Sequence, residues 1–193
     1  MKKSTMIWLG VAVVLLLVGS NLYNGFVSKD EAVTKAWANV ETQYQRRADL
    51  IPNLVNTVKG YAQHEENTFK EVVEARAKAT SVQVDPSNIT PEQLREFQLA
   101  QNQVSTALGR LIAVAENYPD LKANQNFREL QTQLEGTENR IQKSRTEYNE
   151  AVRVYNVAVR RFPGNIVAGL FGFQTRETFK ADEGASKAPE VKF

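Results

Sequence analysis

Trp37-Ala-Asn-Val40-Glu-Thr-Gln-Tyr44-Gln-Arg-Arg47-Ala-Asp-Leu-Ile51-Pro52-Asn-Leu54-Val-Asn-Thr-Val58 is the stretch that decides the fold. Trp37, Tyr44, Ile51 and Val58 recur every seventh residue, and Val33, Val40, Leu54 and Tyr61 form a companion row broken only by Arg47. Two apolar rows at this period are the buried seam of a packed helix. Pro52 removes one backbone donor and crowds the turn before it, so a kink is expected there. The phase carries through from Ile51 to Val58, which predicts one long kinked helix from about residue 29 to residue 79.

Downstream, residues 80–91 read as a loop. Thr90-Pro91-Glu92-Gln93 starts a second helix: Thr90 caps it, Pro91 suits its first position and Gln93 closes a capping box. Leu94, Phe97, Val104, Leu108, Leu111 and Ala115 form its inner face, and Asn117-Tyr118-Pro119-Asp120 stops it. A third helix is expected over 126–162. Phe127, Leu134, Ile141, Tyr148, Tyr155 and Phe162 make its seam, beside a mostly small row of Leu130, Thr137, Ser144, Ala151 and Ala158. The fold class is therefore all-α, an antiparallel bundle of three main helices with one core.

Upstream, residues 6–18 carry no charge and no strong polar group, and the uncharged stretch continues to Ser28. About 21 helical residues cross about 30 Å of hydrocarbon, so residues 6–26 read as a transmembrane anchor behind a five-residue head, with Trp8 and Tyr23 at its edges. The alternative is a cleaved signal peptide, but Val18-Gly19-Ser20 is a poor cleavage site. Lys2 and Lys3 before the span, against Lys29 and Lys35 after it, lean toward a domain outside the cytoplasm, with the cytoplasmic side as the alternative. The expected organisation is head 1–5, anchor 6–26, bundle 27–173 and a charged, disordered tail 174–193.

Composition limits the chemistry. Lys plus Arg is 24 and Asp plus Glu is 22 in 193 residues, so no global charge favours nucleic acid. The absence of Cys excludes thiolate zinc sites, disulfides and an acylated lipoprotein cysteine. His64 is the only histidine, and His64-Glu65-Glu66 lacks the second histidine of a metalloprotease helix, so it reads as surface. Arg46-Arg47 and Arg160-Arg161 are basic pairs suited to a solvated face, to acidic lipid headgroups or to an acidic partner. Arg47 differs because a charge on a seam needs a partner: Asp49, Glu41 or a carboxylate on a neighbouring helix. Asp49, Asn53 and Asn56 lie on one polar flank and read as solvent-exposed. With no triad, phosphate loop or isolated carboxylate pair, neither an enzyme nor a cofactor, metal or small-molecule site is expected.

Residues 162–173, Phe162-Pro-Gly-Asn-Ile-Val-Ala-Gly-Leu-Phe-Gly-Phe173, are uncharged and apolar. They either close the end of the bundle or present an apolar element to lipid or to another copy. Pro163 should end the third helix, and the candidate interaction surface is Ile166, Val167, Leu170, Phe171 and Phe173 with Arg160 and Arg161.

Two motif blocks point to a family. The first is Ala36-Trp37-Ala38-Asn39-Val40, Arg46-Arg47-Ala48-Asp49-Leu50-Ile51-Pro52-Asn53-Leu54-Val55, Val58-Lys59-Gly60-Tyr61-Ala62 and His64-Glu65. The second is Tyr148-Asn149-Glu150, Tyr155-Asn156, Arg160-Arg161-Phe162-Pro163 and Val167-Ala168-Gly169-Leu170-Phe171-Gly172-Phe173. Over about residues 5–180 the chain resembles the LemA family. That resemblance implies a bacterial, single-pass membrane protein with a helical-bundle domain, no enzyme activity and no cofactor. The expected function is a membrane-anchored scaffold or adaptor whose partners are the lipid bilayer and an envelope protein or a second copy. The alternative is membrane remodelling, in which assembling bundles insert the 163–173 segment in the bilayer interface.

Overall fold

The computed structural model describes residues 3–180, and all of its regular structure there is helical. The elements are α1 (Lys3–Lys59), α2 (Glu66–Ser81), α3 (Pro91–Ala115), α4 (Pro119–Ala123), α5 (Gln125–Arg160) and α6 (Gly164–Phe171).

The long α1 joins two regions expected to be separate. Its apolar N-terminal half and the bundle seam are one uninterrupted helix of 57 residues. No proline precedes Pro52 and the glycines are isolated, so nothing stops the helix between span and bundle. Pro52 also lies inside α1, as the constant phase predicts. Proline 52 cannot donate to the Ala48 carbonyl one turn back, and Arg76 of α2 takes that place, its Nε donating to Ala48 O at 2.8 Å.

The helix expected to continue to residue 79 instead ends at Lys59 and reverses through residues 60–65 into α2. Gly60 weakens the helix at that point, and Tyr61 N–H and Ala62 N–H both turn back to Val58 O. The seam hid this break: Val58 and Val72 are both fully buried and stand fourteen residues apart, two heptads in phase although the chain has reversed between them. Tyr61, expected in the companion row, is exposed because it lies beyond the helix end. The bundle thus has four long helices rather than three.

Facing pairs fix the directions. Gly164 meets Phe26, Tyr148 meets Trp37, Glu138 meets Arg47 and Asn124 meets Tyr61, so α5 runs antiparallel to α1. Phe97 packs on Trp37 and Tyr44, while Gln101 and Ser105 reach Arg47, so α3 runs parallel to α1. The Thr90–Gln93 capping box forms as expected, with each side chain reaching the other residue's backbone N–H. Asn124 caps α5 by accepting from Phe127 N–H.

The core has two lobes. One, around Ile51, Leu54, Val58, Val72, Leu111 and Leu134, lies far from the N-terminus. The other, around Phe26, Trp37, Tyr148 and Tyr155, lies beside the apolar N-terminal stretch of α1 and also takes in Phe179. Arg47 stands between them, 2 % exposed, as the seam position requires. Its partners are Glu138 at 2.7 Å, Ser105 at 2.8 Å and the Gln101 side chain at 2.6 Å; neither Asp49 nor Glu41 is among them.

Candidate interaction surface

Within α1, residues 6–18 stand exposed and clear of the bundle. This is the one helix among the described residues that is long and apolar enough to cross a membrane. The first α1 side chain to be buried is Phe26, five residues before which the helix is still largely free. At that level α5 ends and α6 begins.

Local chemistry brings α6 there. The α5 helix stops at Arg160, two residues earlier than the Phe162 boundary expected from the seam, and Pro163 precedes α6. Phe162 is consequently no core residue; it is 75 % exposed. A Cβ on Gly164 would stand 2.8 Å from Ala158 O and 3.1 Å from the Phe26 ring, so only glycine permits this approach of α6 to α1 and α5. Gly172 ends α6 in the left-handed conformation at φ 77°. Phe173 then turns inward against Phe26 and Tyr23, with ring centroids 5.3 and 5.5 Å apart.

The expected surface residues therefore divide. Val167 and Phe173 are half-buried and close the base of the bundle. Ile166, Leu170 and Phe171 are exposed, the last two by 78 % and 60 %, and with Phe162 they form the outward apolar face. Phe171 also touches Tyr23 edge-on at 5.0 Å. Arg160 and Arg161 are exposed at the same end. This apolar face is therefore level with the C-terminal end of the apolar 6–26 stretch.

Of two other expectations, the surface position of His64 holds and the free tail does not. His64 is exposed, and among the described residues no group of three His, Asp or Glu side chains converges to hold a metal. The tail expected from residue 174 is not free at its start: residues 174–180 lie extended along α5 and bury Phe179, whereas 181–193 fall outside the described residues. A single aromatic in a charged, small-residue segment carries no periodicity, so this strap left no pattern in the sequence.

Burial sets the largest ionisation shift among the described residues. Burial pushes the Tyr148 phenol up to about 12, against a smaller lowering by Arg176 of the strap. Tyr155 moves in the same direction, chiefly by burial.

Known proteins resemble this chain in sequence. Magnetosome proteins MamQ 1 and MamQ 2 of Paramagnetospirillum magneticum are each 29 % identical over 175 residues, which is 82 % of this chain and 64 % of theirs. Protein LemA of Metamycoplasma hominis is 23 % identical over 160 residues, which is 83 % of this chain and 69 % of the relative. The chain thus spans just under two thirds of the length of the MamQ relatives. The LemA family model matches residues 36–193, taking in both motif blocks apart from the anchor, and this chain belongs to the LemA family.

Proposed function

We propose that this chain is a single-pass, non-enzymatic scaffold of the bacterial inner membrane. It holds a rigid helical bundle against the bilayer surface, outside the cytoplasm, for an envelope protein or a second copy to bind. The observation that carries this reading is the position of α6. Its Ile166, Leu170 and Phe171 are exposed, and Phe171 stands against Tyr23, where the apolar stretch of α1 ends. If residues 6–26 cross the hydrocarbon, these side chains enter the headgroup–acyl boundary and Arg160 and Arg161 face acidic headgroups. Burial at about 25 cal/mol per Å² makes three such side chains worth a few kcal/mol.

The continuity of α1 supports rigidity, since no flexible linker separates span from bundle. Fixing copies in one plane raises the effective concentration of weak partners without any new contact. The exposed α6 face also favours a second reading, membrane remodelling, because an apolar wedge in one leaflet strains the bilayer when many copies assemble.

Carbonate extraction followed by terminal sequencing tests the anchor. The protein should stay in the membrane pellet with residues 6–26 attached; a soluble form beginning near residue 21 would refute the reading.

A further inference from the structure

The strap 174–180 is held as a bound peptide is held. Asn149 donates from its amide nitrogen to Phe179 O at 3.1 Å and accepts from Phe179 N–H at 2.9 Å. Asn156 repeats the arrangement with Arg176, donating at 2.9 Å and accepting at 2.8 Å. A side-chain amide presents one acceptor beside two donors, so it can grip both backbone groups of a single residue whatever that residue's side chain is. The two asparagines are seven residues apart on α5, or about 10.5 Å at helical rise. Three residues of extended chain cover about 9–10 Å. Helix and strap therefore share one register, and each Tyr-Asn pair of the second motif block, Tyr148-Asn149 and Tyr155-Asn156, forms one grip point.

Specificity comes from two side chains of the strap. Phe179 is buried, stacked on Trp37 with centroids 5.8 Å apart, and capped by the Arg145 guanidinium. Arg176 pairs with Asp30 of α1 at 2.8 Å, and its other terminal nitrogen bonds Ser87 O. Among the described residues, 174–180 make no backbone-to-backbone hydrogen bond, so side chains of the bundle hold the strap's backbone.

We propose that this face of α5 is a peptide-recognition site for an extended Arg-x-x-Phe segment, and that residues 174–180 of a second copy can occupy it in trans. The second copy is favoured because its segment has the chemistry already seated in the groove, and exchange of identical elements creates no new interface to optimise. Residues 173–175 reach about 10 Å when extended, so the exchange joins two bundles whose α6 ends are adjacent. The proposal rests on the self-association part of the scaffold reading and gives it a contact.

Complementation of two full-length variants in detergent micelles tests it. One carries Asn149→Ala with Asn156→Ala, leaving its strap intact but its groove without grip. The other carries Arg176→Ala with Phe179→Ala, leaving its groove intact but its strap without anchors. Because the chain has no Cys, Lys70→Cys on exposed α2 gives each variant a single dye site. Energy transfer in the mixture should exceed that of either variant mixed with itself by about tenfold, and an excess of synthetic 173–180 peptide should abolish it. Equal transfer in all three samples, with helical circular dichroism retained, would overturn the proposal. If either double variant loses its helical signal, Asn156→Leu and Arg176→Gln replace them under the same criteria. Micelles keep this result independent of bilayer insertion, so a failed anchor would appear only in the carbonate extraction.

Discussion

At the scale of single residues, the bundle depends on charges and backbone groups that meet a partner from another helix. Arg47 ties α1 to α3 and α5 through Gln101, Ser105 and Glu138. Arg47→Ala should cost about 3 kcal/mol by urea denaturation, because Gln101 is left buried without its partner. Glu138→Ala should cost at least as much, about 3 kcal/mol, since it leaves the Arg47 guanidinium, 2 % exposed, without its counter-charge. A loss near zero at either would contradict this assignment. The need for a partner was legible in the heptad rows; its identity was not, because it lies ninety-one residues away on a helix whose register only the fold supplies.

Pro52 and Arg76 should likewise be coupled. With Pro52 present, Arg76→Met orphans the Ala48 carbonyl; with Pro52→Ala, a new N–H can satisfy it. Arg76→Met should therefore cost about 1–2 kcal/mol in the native background and distinctly less beside Pro52→Ala, a non-additivity that a double-mutant cycle reads directly. Tyr148 gives a pH signature. Its folded-state pKa lies at about 12, above the ordinary value of 10. Between those values the unfolded chain loses the proton while the folded chain keeps it, so stability falls as pH rises through that window and is intact below it. The denaturation midpoint should drop from ~pH 9 to ~pH 11, and Tyr148→Phe should flatten the drop.

At the scale of elements, the sequence was clearest where burial was periodic. All six expected inner residues of α3 are buried, as are Phe127, Leu134, Ile141, Tyr148 and Tyr155 of α5. It was least clear where chain reversal kept the heptad phase, at residues 60–65, and where contacts come from side-chain amides, in the strap. The α6 segment lies between these cases. Composition marked it as apolar and three-glycine, but only its packing separates Val167 and Phe173, which close the core, from Ile166, Leu170 and Phe171, which do not. Ile166→Ser with Leu170→Ser should therefore leave the melting temperature within about 2 °C of the native chain, while Phe173→Ser should lower it by several degrees, through a loss of about 2 kcal/mol against Phe26. A large loss from the first pair would make the whole of α6 core closure.

At the scale of the whole molecule, one helix carries the chain from its apolar end to the far end of the bundle, and α6 packs where the two regimes meet. On the proposed reading a rigid α1 fixes the height of α6 once residues 6–26 cross the bilayer, so contact of Ile166, Leu170 and Phe171 with lipid would follow from geometry rather than from a separate binding event. The depth of Leu170 tests this most directly. A single Leu170→Cys in the otherwise Cys-free chain takes an environment-sensitive dye, and the full-length protein is reconstituted in vesicles containing lipids with nitroxide quenchers at the headgroup or along the acyl chain. The account predicts quenching by shallow acyl-chain nitroxides and protection from aqueous quenchers, with the reverse pattern for a control dye at Lys70→Cys. A dye at Leu170→Cys that is quenched from water and untouched by either lipid would contradict it.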